Sequence, residues 1–136
     1  MEQATERSSP AVAITNGIVA LHRTNYGRGA TKARTHIGDG FVLCVMEDIF
    51  TAAERTLVGA GKLETVRRAR LEFQEIMRDD FVGLVENAVG RRVYSFFSQI
   101  DVNGNGIEGF LVESVTGDRA AADGAAADGD GTAGAG

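Results

Sequence analysis

The sequence predicts an α+β domain in the order α-β-β-α-β-β, with a four-stranded antiparallel sheet and its helices packed on one face. Three observations carry this prediction. Residues Gly27 to Glu54 run without a gap from a glycine hinge through an alternating strand, a tight turn and an apolar strand into a helix cap. Apolar residues recur at three- and four-residue spacing on either side of that segment, at Ile14, Ile18 and Leu21 and again from Leu63 to Ala88, which marks amphipathic helices. Two further strand-like runs, Arg92 to Ile100 and Ile107 to Val115, are joined by a loop rich in Asn and Gly.

The first helix starts at Ser9-Pro10, where the hydroxyl accepts from a free amide of the first turn and proline gives up no hydrogen bond. Val12 and Val19 widen its apolar stripe, and Gly27 and Gly29 end it after about Asn25. From Thr31 to Ile37 the chain alternates, with Ala33, Thr35 and Ile37 on one face and Lys32, Arg34 and His36 on the other. Gly38-Asp39-Gly40 tolerates the backbone of a tight turn and reverses the chain into Phe41 to Met46. That strand is apolar on both faces, so it is expected to be central and covered on both sides. With Val93 and Phe97 adding to the apolar surface, a homodimer pairing two identical sheet faces is expected, unless the short helix after Thr51 folds back over the face.

Thr51-Ala52-Ala53-Glu54 fits a capping box at the start of a short helix to about Val58. After Gly59-Ala60-Gly61 a long helix is predicted, its apolar stripe drawn through Leu63, Val66, Phe73, Met77, Leu84 and Ala88 and its end set by Gly90. Glu64, Arg68 and Glu72 then fall on a solvated face, and Arg67, Arg68 and Arg70 are read as part of it.

At 136 residues, 43% hydrophobic, the chain suits one domain. Its expected bounds are residues 9–116, between a disordered N-terminus at 1–8 and a disordered Ala/Gly/Asp-rich tail at 117–136. The net charge of −5 owes much to that tail, and without it 13 basic side chains stand against 15 acidic ones. A single cysteine, Cys44, between apolar neighbours reads as a buried small hydrophobe and forms no disulfide within the chain. Neither a secretory signal nor an apolar run of the roughly 18 residues that span a bilayer is present, which points to a soluble, cytoplasmic protein.

No catalytic residue, cofactor or metal is expected. His22 and His36 lack cysteine partners or carboxylates at ligand spacing, Ser95 and Ser98 lack a nucleophile turn, and Glu47-Asp48 reads as a strand terminus. Asp101-Val102-Asn103-Gly104-Asn105-Gly106 resembles the first half of a calcium loop, but Val112 stands where the bidentate glutamate belongs, so it is read as a hairpin turn. Gly27 to Lys32 has the wrong spacing and order for a nucleotide loop. One ligand-binding candidate remains: Arg28, Lys32, Arg34 and His36 as a basic patch for an anion or a phosphate-bearing ligand. Its bland counterpart is an exposed strand face kept soluble by charge. The near-neutral domain argues against nucleic acid as the partner.

The strings GRGATKART, FVLCVMEDIFTAAE, VRRARLEFQEIMRDDF and VGRRVYSFFSQIDVNGNGIEGFLVE together resemble the MpsC family of small bacterial domains, over about Ile14 to Val115. Gly27, Arg28, Gly29, Lys32, Thr51, Glu54, Gly90 and Arg92 fall on family positions, while Ala30 replaces a usual proline and Phe50 a usual leucine. The resemblance implies a link to a sodium-translocating system that generates membrane potential, with a membrane-protein partner in that system and no known catalytic residue. With no spanning segment, the chain is expected to be a non-enzymatic accessory or regulatory domain that does not insert into the membrane.

Overall fold

The computed structural model describes residues 9–114. Helix α1 spans Pro10–Tyr26, capped by the Ser9 hydroxyl, which accepts from the Val12 amide, and closed by Gly27 in the left-handed conformation at φ 87°. Strands β1 (Lys32–Ile37) and β2 (Phe41–Glu47) form the first hairpin. Helix α2 (Ala52–Gly59) follows, then the long helix α3 (Leu63–Val89), which Gly90 closes at φ 71°. Strands β3 (Val93–Ile100) and β4 (Gly106–Val112) form the second hairpin. The order, with the short α2 counted, is α-β-β-α-α-β-β. All pairings are antiparallel and the sheet runs β1-β2-β4-β3, so the hairpins join through their second strands and leave β1 and β3 as edges.

The core lies between the sheet and the helices. Val42, Cys44 and Met46 of β2 and Phe110 and Val112 of β4 meet Ile14 and Ile18 of α1 and Met77, Phe81 and Val85 of α3. Phe96 of β3 stacks between Phe81 and Phe110, with ring centroids at 5.5 Å and 4.9 Å. Each such side chain taken fully out of water contributes about 1.5–3 kcal/mol.

Two expectations and one alternative need correction. Among the described residues strand β2 is covered on one face only: Val42, Cys44 and Met46 are buried, whereas Phe41 is exposed and Leu43 and Val45 are half-buried. Helix α2 packs against α3 and not across the open face. The buried stripe of α3 is Val66, Arg70, Gln74, Met77, Phe81 and Val85, while Phe73 is exposed and Leu84 half-buried. Arg70 is therefore an interior residue, not part of a solvated face. The Asp101 loop is the hairpin turn expected, its carboxylate accepting from the Asn103 and Asn105 amides. The expected disordered segments, 1–8 and 117–136, lie outside the described residues.

Candidate functional site

Register decides what the open face of the sheet presents. Arg34 stands opposite Val45, Val45 opposite Ile107 and Ile107 opposite Gln99. The next row reads His36, Leu43, Gly109 and Phe97, and a third Phe41, Leu111 and Ser95. An apolar centre on β2 and β4 thus lies beside a basic stripe on β1. Phe97, 47% exposed, packs its ring over Gly109, where an added Cβ would fall 2.5 Å from it. The glycine makes room for the ring, as glycines in strand interiors do where a neighbour approaches closely.

The predicted ligand residues divide. Lys32, Arg34 and His36 alternate onto the open face as expected and are exposed. Glu47 stands directly across the ladder from Lys32, and Arg34 donates from Nε to the Nε2 of His36 at 3.3 Å, so the stripe is partly self-satisfied. Arg28 points elsewhere. Its guanidinium donates to the Asp48 carbonyl at 2.9 Å, the Phe50 carbonyl at 2.7 Å and both Asp48 carboxylate oxygens at 3.3 Å and 3.1 Å. Asp48 holds a left-handed backbone at φ 59°, sparsely populated for a side-chain-bearing residue, and this clasp fixes it there. The Arg28 hydrogen bond holds the Asp48 carboxyl below the usual range. Arg28 thereby ties the hinge before β1 to the turn after β2.

A buried polar cluster joins the helices to the sheet behind that face. Glu108 of β4 and His22 of α1, each about 1% exposed, meet at 3.1 Å, and Gln74 of α3 donates to the same Glu108 oxygen at 3.1 Å. Arg70 clasps Glu54 with bonds of 2.8 Å and 2.7 Å and also donates to the Ile49 carbonyl. The Tyr26 ring lies 4.1 Å from the guanidinium carbon. Burial pushes the Tyr26 hydroxyl up to about 12 despite Arg70, with Glu108 and Glu54 adding to the rise. Burial also lifts the Cys44 thiol to about 11, which keeps it protonated and inert.

Sequence reasoning missed this cluster. His22 and Glu108 are 86 positions apart, so no local spacing links them. One signal was present: Glu108 shares strand parity with Phe110 and Val112, which places a carboxylate on the core face.

The chain is thus an antiparallel α+β domain with one helix-covered sheet face, a second face with an apolar centre, and an interior polar cluster that joins helices to sheet. A family model described as Na+-translocating membrane potential-generating system (MpsC) matches residues 7–114, and the chain belongs to that family. No curated protein and no solved structure matches it. Among the described residues no helix is long and apolar enough to cross a membrane.

Proposed function

We propose that the chain is a non-enzymatic, cytoplasmic accessory domain that docks, through the open face of its sheet, onto a protein component of a sodium-linked system that generates membrane potential. The observation behind this reading is the apolar field of Phe41, Leu43, Val45, Ile107 and Leu111 left without a helix over it and flanked by Lys32 and Arg34. Exposed apolar patches rimmed by polar groups mark interaction sites. The complementary partner has an apolar patch with carboxylates on the side that meets β1. Family membership supplies the system. A free phosphate ligand is the weaker reading, because Arg28 is committed to Asp48 and Arg34 donates to His36.

The test is the sodium-dependent membrane potential of cells carrying Leu43→Lys in place of the native chain, read with a voltage-sensitive dye. The potential is expected to fall while the variant stays folded, and a photo-crosslinker at position 43 is expected to capture a membrane subunit of the system. An unchanged potential with a folded Leu43→Lys protein overturns the proposal.

A further inference from the structure

The helix layer carries a second apolar seam on its outer side. In α3, Ala69, Phe73, Ile76, Asp80 and Gly83 recur at alternating four- and three-residue spacing, the period of a helix–helix seam, and none of them belongs to the stripe buried on the sheet. Ile76 is 78% exposed and Phe73 39%. Solvated helix faces ordinarily carry polar residues at such positions.

Helix α1 completes a groove beside this seam. Tyr26 meets Phe73 edge to face with ring centroids at 5.0 Å, and Leu84 lies over Gly17, where an added Cβ would fall 2.6 Å from its δ carbons. The two helices therefore run antiparallel. A groove of about 340 Å³ opens along them, lined by Gly17, Ala20, Leu21 and Thr24 of α1 and by Asp80 and Leu84 of α3. Gly17 and Ala20 keep its α1 wall low, so the backbone of a third helix can come close.

Charge selects what fits there. Glu72, Glu75, Asp79 and Asp80 are exposed along this stretch of α3, and none of them pairs with a cation among the described residues. Arg78 interrupts the run, but its guanidinium is turned toward β3, 5.8 Å from the centre of the Phe96 ring; Arg23 of α1 is the nearest counterweight in sequence to the α1 wall. A second copy of the same stretch would set these carboxylates against one another, and anionic lipid headgroups would be repelled. A helix with lysine or arginine beside its apolar stripe suits both the seam and the carboxylates. Asp80, inside the seam, would fix the register of that helix, as single polar residues do in helix–helix seams.

We propose that the outer side of the helix layer, along Phe73, Ile76 and Leu84 of α3 and Gly17 and Ala20 of α1, is a second docking surface that receives a basic amphipathic helix of a partner protein, with a lysine or arginine of that helix against Asp80. It lies across the sheet from the open face and does not depend on what docks there. The probe is a synthetic peptide helix with leucines on one face and lysines beside them, followed by fluorescence anisotropy on the full chain. It is expected to bind, and its counterpart with glutamates in place of the lysines is not. Ile76→Asp and Asp80→Lys, both at exposed positions, are expected to weaken binding of the lysine peptide about tenfold or more with the melting temperature unchanged. Leu43→Lys, on the open face, is expected to leave this binding unaltered, so failure here is distinct from failure of the sheet-face reading. No binding of the lysine peptide, binding indifferent to Ile76→Asp and Asp80→Lys, or loss on Leu43→Lys alone overturns the proposal. So does a dimer in sedimentation velocity that Ile76→Asp dissolves, since it would place a second copy in the groove.

Discussion

Arg70 leaves water only because its guanidinium is met on its edges and on its face: two bonds to Glu54, one to the Ile49 carbonyl, and the Tyr26 ring above it. Breaking a buried pair by removing one member is costly because the other charge is left uncompensated. Arg70→Met keeps much of the stem's volume but strands Glu54 and the Ile49 carbonyl, so a loss of roughly 3 kcal/mol is expected in urea unfolding. Arg70→Lys should recover little of it, since an ammonium cannot form the two-pronged contact. The same pair makes the fold acid-sensitive. Burial works to raise the Glu54 pKa, but the bonds from Arg70 and the Thr51 amide outweigh it and the net direction is down. A carboxyl lowered on folding contributes stability in full above the ordinary glutamate value, about 4.3, and loses it as pH falls through the folded value. Urea midpoints measured across acid pH should therefore fall more steeply below about pH 4.3 for the native chain than for Glu54→Gln. Equal slopes would mean that the Arg70 contact does not bias this proton.

Glu54 also belongs to an element boundary. The Thr51 hydroxyl accepts from the Glu54 amide at 3.1 Å while the Glu54 carboxylate accepts from the Thr51 amide at 2.9 Å, completing the capping box of α2. Thr51→Ala removes only the first of these and should cost on the order of 1 kcal/mol. Glu54→Ala removes the second and the Arg70 partner together, so thermal denaturation should rank it clearly the more damaging. The caps and turns were legible in the sequence because their chemistry is local: Ser9-Pro10, Gly38-Asp39-Gly40, Thr51 with Glu54, and Gly90 each act within a few residues. The phase of α3 was not. A stripe drawn through apolar residues passes over Phe73 and Leu84, whereas the buried face passes through Arg70 and Gln74, whose partners Glu54 and Glu108 come from other elements. Burial of a polar side chain is decided by a distant partner, which the periodicity of apolar residues does not record. Arg28 escaped for a related reason: its basic neighbours suggested a patch, but Asp48, 20 positions on, captures it.

At the scale of the whole molecule, the asymmetry of the sheet separates the face that carries the core from the face proposed for docking. The alternation of β2 sends Val42, Cys44 and Met46 into the core and leaves Phe41, Leu43 and Val45 toward the face that none of the described helices covers. A lysine at position 42 would place its ammonium in the apolar core with Ile14, Phe81, Phe110 and their neighbours, and the desolvation cost exceeds what a domain of this size holds in reserve. Position 43, one residue along, is half-buried, and a lysine there can lay its stem along the neighbouring apolar surface and keep its charge in water. Val42→Lys is thus expected to abolish cooperative unfolding, while Leu43→Lys should keep a two-state transition and lose no more than about 1–2 kcal/mol. Differential scanning calorimetry of the two variants checks this directly. If Leu43→Lys unfolds the chain as Val42→Lys does, the second face is as essential to the fold as the first, and the surface assigned here to docking is instead part of the core of an assembled protein.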